Sequence, residues 1–339
     1  MNRRRILLLL RVLCGALLLW WAWRQVDAPL RQVLSTISLD WTWPPVGVLL
    51  GGLAVAGWAA RWHLFLRLCG ISQAPAETVR LTLFADFFNF YFLGPLGADG
   101  IRMLMLMRRL PDMKFRILAS IILDHASGLL AGALLYAVFT RPQSEWLLSH
   151  GHLGPQIALV GADLLLGFIA LATISGAVLV CKPAAWDFIS RTFMGPTLKP
   201  LQPFRFLEGK GPGLLAGLAV SVPILMCTFS TYWAAGMATH QSPTFGEIMA
   251  VMPLVDVVCG LPITVSGIGV RESVFVGLLG PHLPQGSQGA LLTSLLGFAL
   301  TGVWGLIGGV WLGLYRLRNK TTSGAAGENE TNYKLQSTR

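Results

Sequence analysis

Long apolar runs alternate with short polar segments along most of this chain. About 20 consecutive apolar residues suffice for a helix to cross the hydrocarbon core of a bilayer. The pattern predicts transmembrane helices at about 6–23, 43–60, 117–139, 156–180, 213–238 and 288–314. The residues from 317 to 339 are polar and rich in Ser, Thr, Asn and Gly, a composition that favours a disordered tail.

Two further apolar segments, at 81–101 and 247–280, are interrupted by glycine and proline. A break in a helix exposes backbone groups that lipid cannot satisfy, so it is tolerated only where protein or a water-filled cavity meets it. A pair of interrupted segments at corresponding positions in two halves of a chain indicates the binding site of a transporter. We predict that both segments are re-entrant, so that each begins and ends on one side of the membrane.

The composition and the placement of charge agree with this topology. The chain is 54% hydrophobic and only 12% charged, which excludes a soluble protein of 339 residues. The net charge of +10 lies in short loops between apolar runs, as expected of a membrane protein and not of a nucleic-acid-binding one. If the first interrupted segment is re-entrant, the basic loop 102–116 lies in the cytoplasm. We therefore expect a multi-pass protein of a bacterial inner membrane with both termini in the cytoplasm.

The predicted topology contains an internal symmetry. Each half, about 1–140 and about 156–316, has two spans, a re-entrant segment and a further span, and the halves begin on opposite sides of the membrane. The expected fold is therefore an all-α polytopic membrane protein with about six transmembrane helices and two re-entrant broken helices, related by an inverted repeat. Its membrane domain covers residues 1–316.

The adjacent Arg271 and Glu272 are the most informative charged residues. An arginine at the centre of a membrane helix costs roughly 2.5–3.5 kcal/mol on the insertion scale, so it is normally offset by a partner or a wet cavity. Arg271 could bind a lipid phosphate, or form a structural ion pair with Asp256 or Asp124. Glycines at 267 and 269 could leave backbone amides open to the same anion, or serve only a tight turn.

Polar residues of the first half support two readings each. Asp86 and Asn89 share a helical face and either line a cavity or cap the broken helix. Asp99 and Arg102 also share a face and either bind a headgroup or pair with each other. Asp124, followed by His125 inside a predicted span, is either a proton-sensitive or headgroup-binding site or a buried hydrogen-bonded pair.

Two motifs resemble one known family. The segments LGPLGADGIR at 93–102 and LPITVSGIGVRE at 261–272 resemble the flippase-like transmembrane domain of the lysylphosphatidylglycerol synthase family, and the resemblance covers roughly residues 5–316. In two-domain members, this part is associated with moving aminoacylated phosphatidylglycerol to the outer leaflet, and a soluble domain transfers the amino acid from charged tRNA. The short tail here implies a stand-alone member without the synthase domain.

The resemblance and the residue patterns together give one set of predicted substrate-binding residues. The positions carried by the motif match are Gly97, Asp99, Gly100, Arg102, Gly267, Gly269, Arg271 and Glu272. The charge pattern adds Asp86, Asn89, Asp124 and Asp256. We predict no catalytic residue, metal ligand or cofactor.

The expected function is an integral membrane lipid translocase. Its substrate would be an anionic or aminoacylated phospholipid or a polyprenyl-linked lipid. The alternatives are a scaffold or regulatory partner of a lipid-synthesis enzyme, and an integral-membrane headgroup transferase that uses Asp124, His125 or Glu272 as acid or base. We expect a membrane lipid as the partner and no nucleic acid, and we leave open a lipid-synthesis enzyme and a second copy of the chain.

Overall fold

A computed structural model describes residues 38–148, 153–191, 204–259 and 269–336. Within these ranges the chain is helical and contains no strand. The predicted span at 6–23 and the predicted site residue Gly267 lie outside the described residues.

Eleven α-helices lie within the described residues. They are α1 (Trp43–Leu68), α2 (Pro75–Phe88), α3 (Gly94–Arg109), α4 (Lys114–Leu135), α5 (Ser144–Leu148), α6 (Leu153–Cys181), α7 (Pro183–Ser190), α8 (Gly211–Ala238), α9 (Phe245–Cys259), α10 (Val270–Leu279) and α11 (Gly286–Gln336). Turns of π-helix occupy Asn89–Leu93 and Tyr136–Thr140, and 3₁₀ turns occupy Pro111–Met113, Arg141–Gln143 and Gly280–His282.

Five helical stretches in the described residues are long and apolar enough to cross a membrane. They are Trp43–Leu68, Pro111–Leu148, Leu159–Cys181, Gly211–Ala238 and Gly286–Tyr315. Each of them contains or overlaps one of the predicted spans from 43–60 onward. The prediction of an all-α, polytopic membrane protein is therefore confirmed.

The contacts between residues divide the chain into two compact units. Unit A comprises Val48–Leu134, Leu164–Thr228 and Thr301–Arg339, and unit B comprises Met1–Gly47, Leu135–Asp163 and Phe229–Leu300. Each unit holds one of the interrupted segments. The predicted inverted halves, about 1–140 and about 156–316, are defined by topology and not by contacts. The inverted repeat therefore stays a prediction.

The first hairpin, residues 75–109 of unit A, turns back on itself. Its two helices, α2 and α3, pack against each other and are joined by the π-helical turn Asn89–Leu93. Glu77 at the start of the hairpin forms an ion pair with Arg109 at its end. Because the two ends meet, the segment begins and ends on one side, as a re-entrant segment does.

The second hairpin consists of α9 (Phe245–Cys259) and α10 (Val270–Leu279) of unit B. Its helices α9 and α10 pack together. The carbonyl of Gly246, at the start, accepts a hydrogen bond from Gln143 Nε2 at 3.4 Å. His282, just beyond the end, stacks on Trp146 with ring centroids 3.9 Å apart. Both ends therefore contact one short segment, residues 143–146.

Glycines allow close helix packing within unit A. A side chain on Gly308 of α11 would collide with the backbone carbonyl of Leu83 on α2. On α8, a Cβ at Gly213 would meet Leu68 and one at Gly217 would meet Phe65, both on α1. These close approaches are typical of membrane helices, where small residues let backbones come together.

The last helix continues beyond the membrane-spanning stretch. α11 runs to Gln336 and therefore includes residues that the composition predicts to be disordered. The sequence from 286 to 336 contains no proline, so nothing in the backbone forces the helix to stop at the polar boundary near residue 317.

Candidate functional site

The predicted site residues fall into two groups, one in each unit. Unit A contains Asp86, Asn89, Gly97, Asp99, Gly100, Arg102 and Asp124, and unit B contains Asp256, Gly269, Arg271 and Glu272. The grouping follows the two hairpins, because every one of these residues except Asp124 lies on a hairpin.

Asp124 on α4 is the centre of a buried ion pair in unit A. Its Oδ1 accepts a hydrogen bond from Arg61 Nε at 2.7 Å, and its Oδ2 accepts one from Arg102 Nη1 at 3.4 Å. The side chains of Arg61 and Asp124 are 8% and 5% exposed. Arg61 Nη1 also donates to Ser221 Oγ at 3.1 Å, which ties α1 to α8. Both carboxylate oxygens of Asp124 are therefore bonded to arginines of unit A, Arg61 and Arg102.

Arg61 is a site residue that the sequence pattern misses. The pattern predicts a span ending near residue 60, with Arg61 in a basic loop, but α1 continues to Leu68. The mainly apolar residues from Trp62 to Leu66 could have indicated that the helix continues past residue 60. Three of them, Trp62, Phe65 and Leu66, are fully buried in the structure. An arginine within such a stretch requires a buried partner, and Asp124 supplies it.

Arg102 and Asp99 extend the ion pair toward the surface of unit A. Arg102 Nη1 lies 3.9 Å from Asp99 Oδ1, and the guanidinium lies 5.1 Å from the ring centroid of Trp62. His125 Nε2 forms a hydrogen bond with Asp99 Oδ2. The side chain of His125 is 51% exposed, in contrast to its partner Asp99. The histidine is thus the outward end of a chain of charges that runs inward to Arg61.

Asp86 lies deep in the first hairpin. It is only 3% exposed, and its Oδ2 has no hydrogen-bond partner among the described residues. Its neighbours are Asn89, which hydrogen-bonds to the carboxyl group, and Arg102, whose charge acts on it. We call Arg61, Asp86, Asp99, Arg102, Asp124 and His125 together the charge network.

The two predicted glycines of the first hairpin lie within α3. Gly97 and Gly100 are both half-buried. A Cβ built on Gly100 would have no atom within 4 Å, so there is open space beside the helix at this position.

Arg271 on α10 is the central cation of the second hairpin. Its guanidinium lies 4.3 Å from the ring centroid of Phe298 on α11. Asp256, Glu272, Cys259 and Tyr232 all lie close enough to act on its charge. Arg271 therefore has two acidic neighbours, Asp256 and Glu272, within unit B.

Glu272 caps the helix that carries Arg271. Its Oε2 accepts a hydrogen bond from the backbone amide of Gly269 at 2.6 Å, and its Oε1 lies 3.5 Å from Ser294 Oγ. Gly269 has a φ of +85°, which favours glycine. A carboxylate at a helix N-terminus satisfies an amide and opposes the positive end of the helix dipole. The Gly269 amide, predicted to face a substrate, is therefore bonded to Glu272.

The two hairpins repeat one arrangement of charged residues. A Gln-x-Pro sequence precedes each, at 73–75 and 241–243. A glutamate in the first turn, Glu77 or Glu247, is followed nine residues later by Asp86 or Asp256. An arginine comes 16 residues after Asp86 and 15 after Asp256.

These features define a class of protein: a multi-pass, all-helical membrane protein with two charged, re-entrant hairpins. The chain belongs to the family of the lysylphosphatidylglycerol synthase TM region, whose family model matches residues 8–309. No curated protein matches the chain. The family and the membrane-spanning helices identify an integral membrane protein linked to lipid metabolism.

Proposed function

We propose that this protein moves a lipid with an anionic headgroup between the two leaflets of a bacterial inner membrane. The observation that carries the proposal is the repeated arrangement of an aspartate on the first helix and an arginine on the second helix of each hairpin. Charged residues within membrane segments are costly and mark substrate or ion pathways. Paired broken helices are the usual form of a transporter binding site.

Arg271 is the residue that we assign to the headgroup phosphate. A guanidinium group is planar and matches two phosphate oxygens with two parallel N–H donors. The guanidinium carbon of Arg271 lies over the Phe298 ring, 4.3 Å from its centroid. This cation–π contact helps to hold the guanidinium in position within unit B.

The transport cycle that we propose uses the two hairpins in alternation. In an inverted repeat, one re-entrant segment opens to the cytoplasm and the other to the outer side. The headgroup would contact the charged residues of each hairpin in turn while the acyl chains stay in lipid, so only the polar part of the substrate needs a protein pathway. Lipid-metabolising enzymes that supply or consume the headgroup are the expected partners.

The test is lipid movement in proteoliposomes that contain the purified full chain. Wild type, Arg271→Ala and Arg271→Lys are compared on phosphatidylglycerol, a polyprenyl phosphate and phosphatidylethanolamine. We expect wild type to accelerate at least one phosphate lipid, Arg271→Ala to lose at least tenfold in rate, and Arg271→Lys to retain part of it because lysine keeps the charge without the bidentate geometry.

The matched control is Arg205→Ala. Arg205 is exposed and pairs with Glu208 at 3.0 Å, so its removal takes away one positive charge without touching either hairpin. Arg205→Ala should move lipid at the wild-type rate. Wild-type transport by well-folded Arg271→Ala would refute the role of this arginine.

A further inference from the structure

The charge network does not balance without a proton. It contains two arginines, which stay protonated in proteins, and three aspartates. With His125 neutral and all three carboxyl groups ionised, the network carries one net negative charge. Net charge in a low-dielectric interior is costly, so binding of one proton is favoured.

His125 provides the accessible position for that proton. Its side chain is 51% exposed, whereas those of Arg61, Asp99, Arg102 and Asp124 are between 5% and 17% exposed. Imidazole is the side chain that gains and loses a proton most readily near neutral pH. The protonated ring donates from Nε2 to Asp99 Oδ2, so the added charge is held against a carboxylate.

Asp86 provides the buried position. It is 3% exposed, and its Oδ2 lacks a hydrogen-bond partner among the described residues. A protonated carboxyl group costs far less to bury than an ionised one. In the neighbouring part of α11, from Thr301 to Tyr315, the only ionisable side chain is Tyr315, which lies against Arg80 and Arg109 and away from Asp86. Tyr91 is the other ionisable side chain beside Asp86, and its hydroxyl group, which donates to the carbonyl of Gly302, is uncharged near neutral pH. These tyrosines do not change the charge count of the network.

We propose that the charge network binds one exchangeable proton, held by His125 or, when His125 cannot hold it, by Asp86, and that this proton couples lipid movement to the pH gradient. The coupling rests on the proposed function, whereas the proton site does not. When Nε2 of His125 loses its proton to water, Oδ2 of Asp86 gains one from water. No other bond forms or breaks.

Infrared spectroscopy of the purified full chain at neutral pH tests the proton site without any transport. A protonated carboxyl group has a C=O stretching band that a carboxylate lacks. In difference spectra against wild type, we expect His125→Gln to show an additional C=O band and the double variant His125→Gln/Asp86→Asn to lack it. The control His63→Gln should match wild type, because His63 bonds to the hydroxyl of Thr78 and not to the network.

A second double variant tests the charge count directly. Asp99→Asn/His125→Gln removes one negative charge together with the histidine, so two arginines balance two aspartates and no proton is required. We expect no additional band relative to wild type, although Asp86 is intact. The site is overturned if His125→Gln gives the wild-type spectrum, if its band survives Asp86→Asn, or if the band persists in Asp99→Asn/His125→Gln.

Proteoliposomes with an imposed pH gradient test the coupling. If one proton moves with each lipid, a gradient of one pH unit supports up to about tenfold asymmetry of the lipid between leaflets. Wild type and His63→Gln should build this asymmetry, and His125→Gln should not. Lipid movement that ignores the gradient in wild type overturns the coupling and leaves the proposed function standing. If wild type moves no lipid at all, the proposed function and the coupling both fail, and the spectra alone decide the proton site.

Discussion

At the scale of single residues, the main feature is that buried charges occur in compensated groups. Arg61 and Asp124 lie on different helices, 63 residues apart in sequence, and are both almost fully buried. A buried ion pair adds little net stability, but removal of one partner leaves an uncompensated charge. The pair is therefore a sensitive point of the fold.

Asp124→Asn should destabilise the protein by about 3–5 kcal/mol, because Arg61 is left buried without its carboxylate. Thermal unfolding in detergent measures the effect. Arg61→Met/Asp124→Leu should recover most of the loss, since an apolar pair needs no compensation. Glu208→Gln, which breaks an exposed pair, should change stability by less than about 1 kcal/mol. Equal stability of Asp124→Asn and wild type would show that the buried pair is dispensable.

At the scale of helices, the first hairpin depends on close packing against α11. Phe84 contacts Trp311 at 6.1 Å between ring centroids, and Tyr91 donates a hydrogen bond to the carbonyl of Gly302 at 3.0 Å. Gly308 lies against the backbone of Leu83, where no side chain could give way. The long helix α11 therefore packs closely along the hairpin.

Gly308→Ala should lower the stability of the protein by about 1–3 kcal/mol, because the added methyl group forces α11 away from α2. The control is Gly313→Ala on the same helix, since a Cβ there has no atom within 4 Å. Denaturation midpoints of the two variants give the comparison. If both variants unfold at the same point, the contact between α11 and α2 is not tight.

At the scale of the whole molecule, the proposal requires that the two hairpins open to opposite sides of the membrane. The repeated positions of glutamate, aspartate and arginine in the two hairpins support a common origin. The placement of basic loops gives the expected orientation, with the first hairpin open to the cytoplasm.

Single cysteines at positions 97 and 267, in a cysteine-free background, should react with a membrane-impermeant thiol reagent from opposite sides. Gly97→Cys should label from the cytoplasmic side in inverted vesicles, and Gly267→Cys from the outer side in intact cells. Labelling of both from the same side would exclude the inverted repeat while it leaves a lipid-binding role open.

Local features of the sequence predict the transmembrane helices well. They do not predict which charged side chains pair between different helices. The spans follow from apolar length alone, and the Asp99–Arg102 contact follows from spacing within one helix turn. The pairing of Arg61 with Asp124, and that of His125 with Asp99, join different helices and have no local signature. The cap formed by Glu272 is local, since the glutamate lies three residues after Gly269, and helix-capping rules could have identified it.

The cap on α10 has a consequence for how a substrate would leave. Glu272 already presents two carboxylate oxygens at the helix start beside Arg271, where a lipid phosphate would bind. A bound phosphate would therefore compete for Arg271 with the carboxylate of Glu272, which is part of the protein and stays beside the site. Such competition weakens binding and hastens release, and a carrier that must let go of its cargo on every cycle benefits more from rapid turnover than from high affinity.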